Sequence, residues 1–334
     1  MLHIKCAQFR FARRSLHNKR TYLILFEALH PNHFAVFIRI AELWFDTPEV
    51  TTSLLKFLNE FVHNKANRVS FDQSSPNGIL LFRNTSSILC GYGQQQLKIS
   101  GEVIGANEIY KKRYKGFSLM LNTLFSALTG NYVCFGVFSL YNDPALDNSL
   151  NTALEVVLSI PIEGMISFPK LSKSAFNFLE TLFKSHLSTV LKKDSGTFSR
   201  VMTCIHEGLQ SSDATLSSTC ATTIDNLSTF YFVNIGKQKP EVQLLNDHLA
   251  QQPNLFSGLT STLFNLLLFG PAGNHWAIMK PMLALMLCNE QSFTGYKDQL
   301  MSTQTADNQL KLNDAFTKLL SDVNRNLEST NRDR

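Results

Sequence analysis

Apolar residues recur at spacings of three and four along most of this chain, the period of an α-helix with one buried face. Residues 47–65 show it most cleanly, with Val50, Leu54, Phe57, Leu58, Phe61 and Val62 on one stripe. Thr47 stands where an N-cap side chain accepts a backbone N–H, and Pro48 suits the first helical position, where no donor is needed. Ser75-Pro76 and Asp143-Pro144 repeat this grammar. Leu146, Leu150, Ala153, Leu154, Val157 and Leu158 predict a helix over 146–160. Leu171, Ala175, Phe178, Leu182, Leu187 and Leu191 predict another over 171–191, and Leu312, Phe316, Leu319, Val323 and Leu327 one near the end, over 307–327. Further helical stretches lie near 16–29, 31–45, 76–91, 108–129, 197–210, 214–235, 241–251, 254–269 and 275–289. Pro281 is expected to bend or restart the last of these. Tyr132–Tyr141 is apolar enough for a buried strand, but its helical neighbours favour a buried helix.

The expected fold class is therefore all-α: an α-solenoid of stacked antiparallel HEAT-like helix pairs, each pair taking roughly 40 residues. Short linkers suit antiparallel hairpins, and stacking buries apolar residues that one pair cannot bury alone. No low-complexity linker interrupts the chain. The expected organisation is a divergent basic segment over 1–21, one repeat array over 22–328 and a frayed tail over 329–334. The longest expected connections are 92–106, with Gly91, Gly93, Gly101 and Gly105, and 236–240. Because arrays need polar caps, the helix at 16–29 is expected to expose apolar surface and the isolated chain to associate.

Composition narrows the class. The 334 residues are 44% hydrophobic and 17% charged, too apolar for intrinsic disorder. With 16 Gly and 10 Pro, both below average usage, a turn-rich β fold is disfavoured. No apolar run reaches the ~18 residues that span a bilayer. The net charge of +5 sits at one end: Lys5, Arg10, Arg13, Arg14, Lys19 and Arg20 precede the first acidic residue, Glu27. Setting those six aside leaves 25 basic against 26 acidic residues, which argues against a nucleic-acid-binding face. The local cluster Lys111-Lys112-Arg113 with Lys115 reads as a solvated helix face or, alternatively, as a contact for an acidic partner. The basic start also has an organellar reading as a transit peptide, although such leaders are richer in Ser. The start of the sequence shows no secretory h-region or small-residue cleavage site, so Asn84-Thr85-Ser86 and Asn226-Leu227-Ser228 read as chance glycosylation matches.

Catalytic and metal constellations find no support. His30 and His33 lie close together without further ligands at zinc spacing, and read as a helix-junction pair. The six cysteines, Cys6, Cys90, Cys134, Cys204, Cys220 and Cys288, are scattered, contain no C-x-x-C, and behave as small core residues. Gly91-Tyr92-Gly93 lacks the Lys-Ser/Thr of a phosphate loop, and no G-x-S-x-G elbow occurs. Asp143 and Asp147 fit a helix N-terminus better than a carboxylate pair. Phe135-Gly136 and Phe269-Gly270 sit in apolar surroundings and read as packing, and Trp44 and Trp276 as inter-helix fillers. The expectation is a chain that is no enzyme and needs no cofactor.

Certain blocks exceed generic helix. Val62-His63-Asn64-Lys65, Asn67-Arg68 and Phe71-Asp72 lead into Ser74-Ser75-Pro76-Asn77-Gly78-Ile79-Leu80-Leu81-Phe82-Arg83. In order follow Asn131–Phe138, Leu140–Asp143, Ala145–Asn148, Leu158–Pro161, Phe168 before Pro169–Ser172, Leu287–Phe293, Asn324–Leu327 and Asn331–Arg334. Over roughly 22–334 the chain resembles the C-terminal third of receptors of the exportin-7 (Ran-binding protein 16) type, in the importin-β (karyopherin) superfamily. The resemblance implies a HEAT-like superhelix that binds cargo proteins and Ran-GTP, meets nucleoporins, and shuttles between nucleus and cytoplasm through the nuclear pore complex. Residues 1–21 diverge from that pattern, and the receptors' principal Ran-binding repeats have no counterpart here. The quoted blocks look structural, so no residue is assigned to Ran or cargo. The alternative is a generic helical-repeat scaffold without transport activity.

Overall fold

The structure, a computed structural model, describes residues 18–72, 75–99, 105–270, 275–321 and 324–328. Among these residues the regular elements are all helical. The chain divides into two units, Met1–Thr181 and Leu182–Arg334.

The first unit runs α1 (Lys19–Leu29), α2 (Asn32–Leu43), α3 (Pro48–Val62), a 3₁₀ turn (Lys65–Asn67), α4 (Asn77–Lys98), α5 (Ala106–Ile109), a π-helical turn (Tyr110–Tyr114), α6 (Lys115–Leu128), α7 (Gly136–Leu140), α8 (Ala145–Leu158) and α9 (Ile162–Ser167). α10 (Pro169–Ser185) carries the chain across the division. α2 and α3 form an antiparallel hairpin, with Phe34 beside Phe61 and Phe37 beside Phe57, at ring distances of 6.2 and 5.7 Å. α4 and α6 also oppose each other: Tyr92 lies against Gly116, and Arg113 Nη2 donates to the Gln96 carbonyl at 3.2 Å.

The most extensive packing joins helices of different hairpins, α3 with α6 and α4 with α8. Hydrogen bonds fix the direction. Asn122 donates to Asn59 at 3.0 Å, and further along both helices Asn64 donates to the Gly130 carbonyl at 2.6 Å. Ser86 donates to the Ala145 carbonyl at 2.6 Å, and Thr152 reaches Cys90 Sγ at 3.7 Å. Asn84 donates to His30 Nδ1 at the head of α2, while Gln96 donates to the Phe45 carbonyl at its tail. Thus α2, α4 and α8 lie side by side in one direction as one layer. α3 and α6 form a second layer, continued by α10 through Ser118 and the Lys170 carbonyl at 2.9 Å. Each hairpin contributes one helix per layer, which is the solenoid arrangement. Its core holds Leu58, Leu81, Phe82, Leu89, Phe117 and Leu121 without solvent exposure. Each such side chain stabilises the fold by about 1.5–3 kcal/mol.

The second unit repeats the arrangement with α11 (Leu187–Leu191), α12 (Ser195–Leu209), α13 (Ala214–Asn234), α14 (Pro240–Gln251), α15 (Leu255–Phe269), α16 (His275–Cys288), α17 (Glu290–Ser302) and α18 (Ala306–Leu320). α13 and α16 make its most extensive contact. His206 and Thr262 tie α12 to α15 at 2.8 Å. Phe293 against Phe316, with Lys297 donating to Asn313 at 2.9 Å, makes α17 and α18 antiparallel. His248 pins three helices: it stacks on Phe198 at 4.2 Å, donates to the Leu191 carbonyl and meets Ser195.

Several expectations need correction. α1 and α2 turn through 69°, too little for a hairpin. The connection drawn at 92–106 begins later, because α4 continues to Lys98 with Gly91 and Gly93 inside it. A Cβ at Gly93 would lie 2.8 Å from Met120 Cε and Thr152 Cγ2, so glycine there serves close packing. Within Tyr132–Tyr141 only Gly136–Leu140 is helical, and Leu140 and Tyr141 are exposed rather than buried. The stretch 171–191 breaks at His186, and the last helix ends at Leu320 rather than 327. Thr47 occupies the cap position, but its hydroxyl donates to Asp46 instead of capping. α16 does not restart at the buried Pro281 but runs through it, so only the bend remains of that expectation. Trp44 and Trp276 are more than half exposed, so they are not inter-helix fillers. The expectations for residues 1–17, for Gly101 and for 329–334 lie outside the described residues.

Candidate docking surfaces and relatives

The sequence blocks singled out above have structural work to do. Asn64 accepts from the Val69 N–H at 2.8 Å while its amide reaches Gly130, and Asn67 takes the left-handed φ of +55° that closes the turn. Arg68 is buried across the C-terminus of α3. Its Nε donates to the His63 carbonyl at 3.0 Å, its Nη1 to Glu60 Oε1 at 3.1 Å and its Nη2 to the Glu60 carbonyl. A guanidinium here satisfies carbonyls that the helix leaves open. Asn131 and Asn142 also take left-handed φ, at +55° and +52°. A Cβ at Gly78 would overlap the Tyr132 carbonyl oxygen, which accounts for Gly in that block.

Asp143 accepts from the Ala145 N–H at 3.0 Å and pairs with Arg83 at 3.0 Å, and Asp147 lies in the first turn of α8. Both fit the helix-N-terminus reading. His30 stacks on Phe26 at the α1–α2 junction and accepts from Asn84, as a junction histidine should. Among the described residues no group of three His, Cys, Asp or Glu side chains is placed to hold a metal. Burial pushes the Cys204 and Cys288 thiols up to about 12, and Cys220 well above the usual thiol range. Cys204 and Cys220 are core groups, as expected of scattered cysteines, while Cys288 is half-buried. Cys134, by contrast, is exposed.

The basic cluster divides. Lys111 and Lys112 are exposed on the π-helical turn, and Lys112 pairs with Glu108 at 2.7 Å. That hydrogen bond holds the Glu108 carboxyl below its ordinary range. Arg113 turns inward, over the Phe117 ring at 5.2 Å. The cluster borders a cavity of about 210 Å³ whose wall also carries Asp46, Glu49 and Glu108. The site is of mixed charge rather than a basic patch.

Exposed apolar groups include two sets of four, besides Leu140, Tyr141, Val233, Ile235 and Leu310. Ile24 lies on α1, and Val36, Leu43 and Trp44 lie on α2 and just after it; of these only Ile24 falls in the 16–29 stretch expected to expose apolar surface. Leu268, Phe269, Trp276 and Met279 mark the α15–α16 end of the second unit. The packing reading of the Phe-Gly dipeptides holds for Phe135, edge-on to Phe82 at 5.0 Å, but not for Phe269, which is three-quarters exposed. The second unit also contains a cleft of about 700 Å³ between α10, α11, α13 and the start of α14. Sequence reasoning missed it.

No protein-family model matches the chain. Exportin-7-B of Xenopus laevis is 36% identical over 324 residues, which is 95% of this chain and 30% of that protein. The resemblance is to the exportin-7 group. Ran-binding protein 17 of Mus musculus is 36% identical over 330 residues, 96% of this chain and 30% of that protein. Exportin-7 of Dictyostelium discoideum is 32% identical over 321 residues, 96% of this chain and 32% of that protein. The chain thus spans about 30% of the length of the exportin-7 relatives it matches. The sequence blocks built from Asn64 to Arg83 and from Asn131 to Asn148 supply a cap, left-handed turns and close glycine contacts, which are roles in the fold and name no ligand.

Proposed function

We propose that this chain is a protein-binding part of a karyopherin-type nuclear export receptor, a helical array over 22–328 that acts by docking and without catalysis. The observation that carries the reading is the exportin-7 resemblance along 95% of the chain. The layered helices support it, since such layers give long surfaces on which many modest contacts add up. In this reading the chain binds cargo proteins, works with Ran-GTP and nucleoporins, and moves between nucleus and cytoplasm through the nuclear pore complex. The chain spans only about 30% of its relatives' length, which favours a second reading, a helical-repeat scaffold with no transport role.

Retention of the purified chain on Ran loaded with GTP and with GDP separates the two. The export reading expects preferential retention on the GTP form. Equal or absent retention contradicts autonomous Ran-regulated export and favours the scaffold.

A further inference from the structure

α2 presents two unlike faces. Phe34 and Ala41 are buried against the core, while Asn32, Val36, Arg39 and Leu43, spaced by four, three and four, form one exposed stripe on the far side. Val36 is 54% exposed, Leu43 60%, and Trp44, which ends the helix, 52%. The Arg39 side chain is 67% exposed and pairs with Glu42 at 3.1 Å. These two are the charged residues of Asn32–Leu43, so the stripe carries no net charge. By these fractions Val36, Arg39, Leu43 and Trp44 leave on the order of 500 Å² uncovered; two such stripes laid face to face bury about 1,000 Å², where specific interfaces begin. α18 shows the contrast. Apart from Leu310 it turns polar groups to solvent, among them Asp307, Lys311, Asp314 and Lys318, as a terminal helix without a further neighbour does.

We infer that the α2 stripe is the contact face of a two-fold dimer of this chain. A second copy is the occupant because the stripe complements itself. When two α2 helices cross antiparallel between residues 39 and 40, Val36 of each protomer stands opposite Leu43 of the other. At 1.5 Å per residue each Arg39 is then about 3 Å along the axis from the other protomer's Glu42, so the ion pairs meet with opposite charges in reach. The apolar positions and the one ion pair are thus placed to satisfy their own copies, the property an isologous interface requires. A head-to-tail contact of α2 on α18 would instead desolvate the charges of α18 against apolar side chains. A stripe without net charge gives no attraction to nucleic acid or to an anionic bilayer. The inference adds a pairing of chains to the proposed function but stands without Ran or transport.

Sedimentation equilibrium of the full chain tests it. We expect a monomer–dimer equilibrium at micromolar concentrations, weakened tenfold or more by Leu43→Glu and by Val36→Glu and unchanged by Phe269→Glu, which alters the exposed set on α15. Val36 and Leu43 are exposed, so both variants should keep the wild-type thermal midpoint. Cross-linking reads the symmetry. In a background of Cys6→Ser and Cys134→Ser, Arg39→Cys should give a covalent dimer under mild oxidation, because residue 39 lies beside its own counterpart across the axis. Val36→Cys, about 10 Å from its counterpart along the axis, should not. A monomer throughout, open-ended species larger than a dimer, association that survives both α2 variants or is abolished by Phe269→Glu, or equal cross-linking at 36 and 39 would overturn the inference. Because the assay contains no Ran or nucleotide, its outcome is independent of the retention experiment.

Discussion

Replacing Arg68 by methionine separates two accounts of why a charged side chain lies buried under α3. In one, Arg68 matters as the partner of Glu60. In the other, it matters as the cap of the helix C-terminus, through the Glu60 and His63 carbonyls. The geometry favours the cap: the Arg68 side chain is 1% exposed and that of Glu60 37%, so the Glu60 carboxylate meets water with or without Arg68, while the buried guanidinium lies against the two carbonyls. Hydrogen bonds from a charged donor contribute about 1.5–3 kcal/mol each. Arg68→Met keeps most of the volume but removes two such bonds to carbonyls, and should cost about 3–5 kcal/mol. Glu60→Gln leaves both carbonyl bonds intact and should cost under about 1 kcal/mol, the range of a solvated pair. Urea unfolding followed by Trp44 emission in a Trp276→Phe background reads the first unit alone. Equal losses in the two variants would refute the capping argument.

Other consequences follow from close contacts, burial and exposure. Gly116→Ala places a methyl on the Tyr92 hydroxyl, and overpacking of this kind costs about 1–3 kcal/mol; Tyr92→Phe should recover part of that loss, and strict additivity in a double-mutant cycle would argue against the clash. The Cys204 and Cys288 thiols keep in the folded state protons that the unfolded chain releases, so the second unit should lose stability as pH rises from about 9 towards about 12, by about 1.4 kcal/mol per pH unit for each thiol. Thermal scans of Cys204→Ala and Cys288→Ala should show a flatter fall over that window, and an unchanged slope would contradict the assignment. Val36→Lys with Trp44→Gln should leave the unfolding free energy within about 0.5 kcal/mol of wild type while reducing self-association in sedimentation velocity; unchanged association would remove this surface as its cause.

The helices were legible because a period of three and four marks a buried face whatever the face packs on. α3, α8 and α12 stand within a residue or three of where their apolar stripes place them. α9 and α17 escaped notice because six residues are too few to show a period and because Glu290–Ser302 is predominantly polar. Glycine misled at 91 and 93: read as part of a connection, each serves as a small face inside α4, Gly91 where Glu42 approaches and Gly93 where Met120 and Thr152 do. Periodicity names a face but not its partner, so the same-direction stacking of α3 on α6 and of α4 on α8 could not be read from it. The cleft was beyond reach for a similar reason. Nothing around Asn226 in the chain distinguishes a mid-helix asparagine that meets solvent from one that, as here, lines the cleft with its amide nitrogen shielded and unpaired.

The stacking is what the whole account rests on, and the Asn59–Asn122 amide pair tests it most directly, because that 3.0 Å bond joins residues 63 apart in the chain only if α3 and α6 lie side by side. A double-mutant cycle of Asn59→Ala and Asn122→Ala on urea unfolding should give a coupling energy of about 0.5–1.5 kcal/mol, the net worth of a hydrogen bond. Additive losses, with no coupling between the two positions, would contradict the layered arrangement.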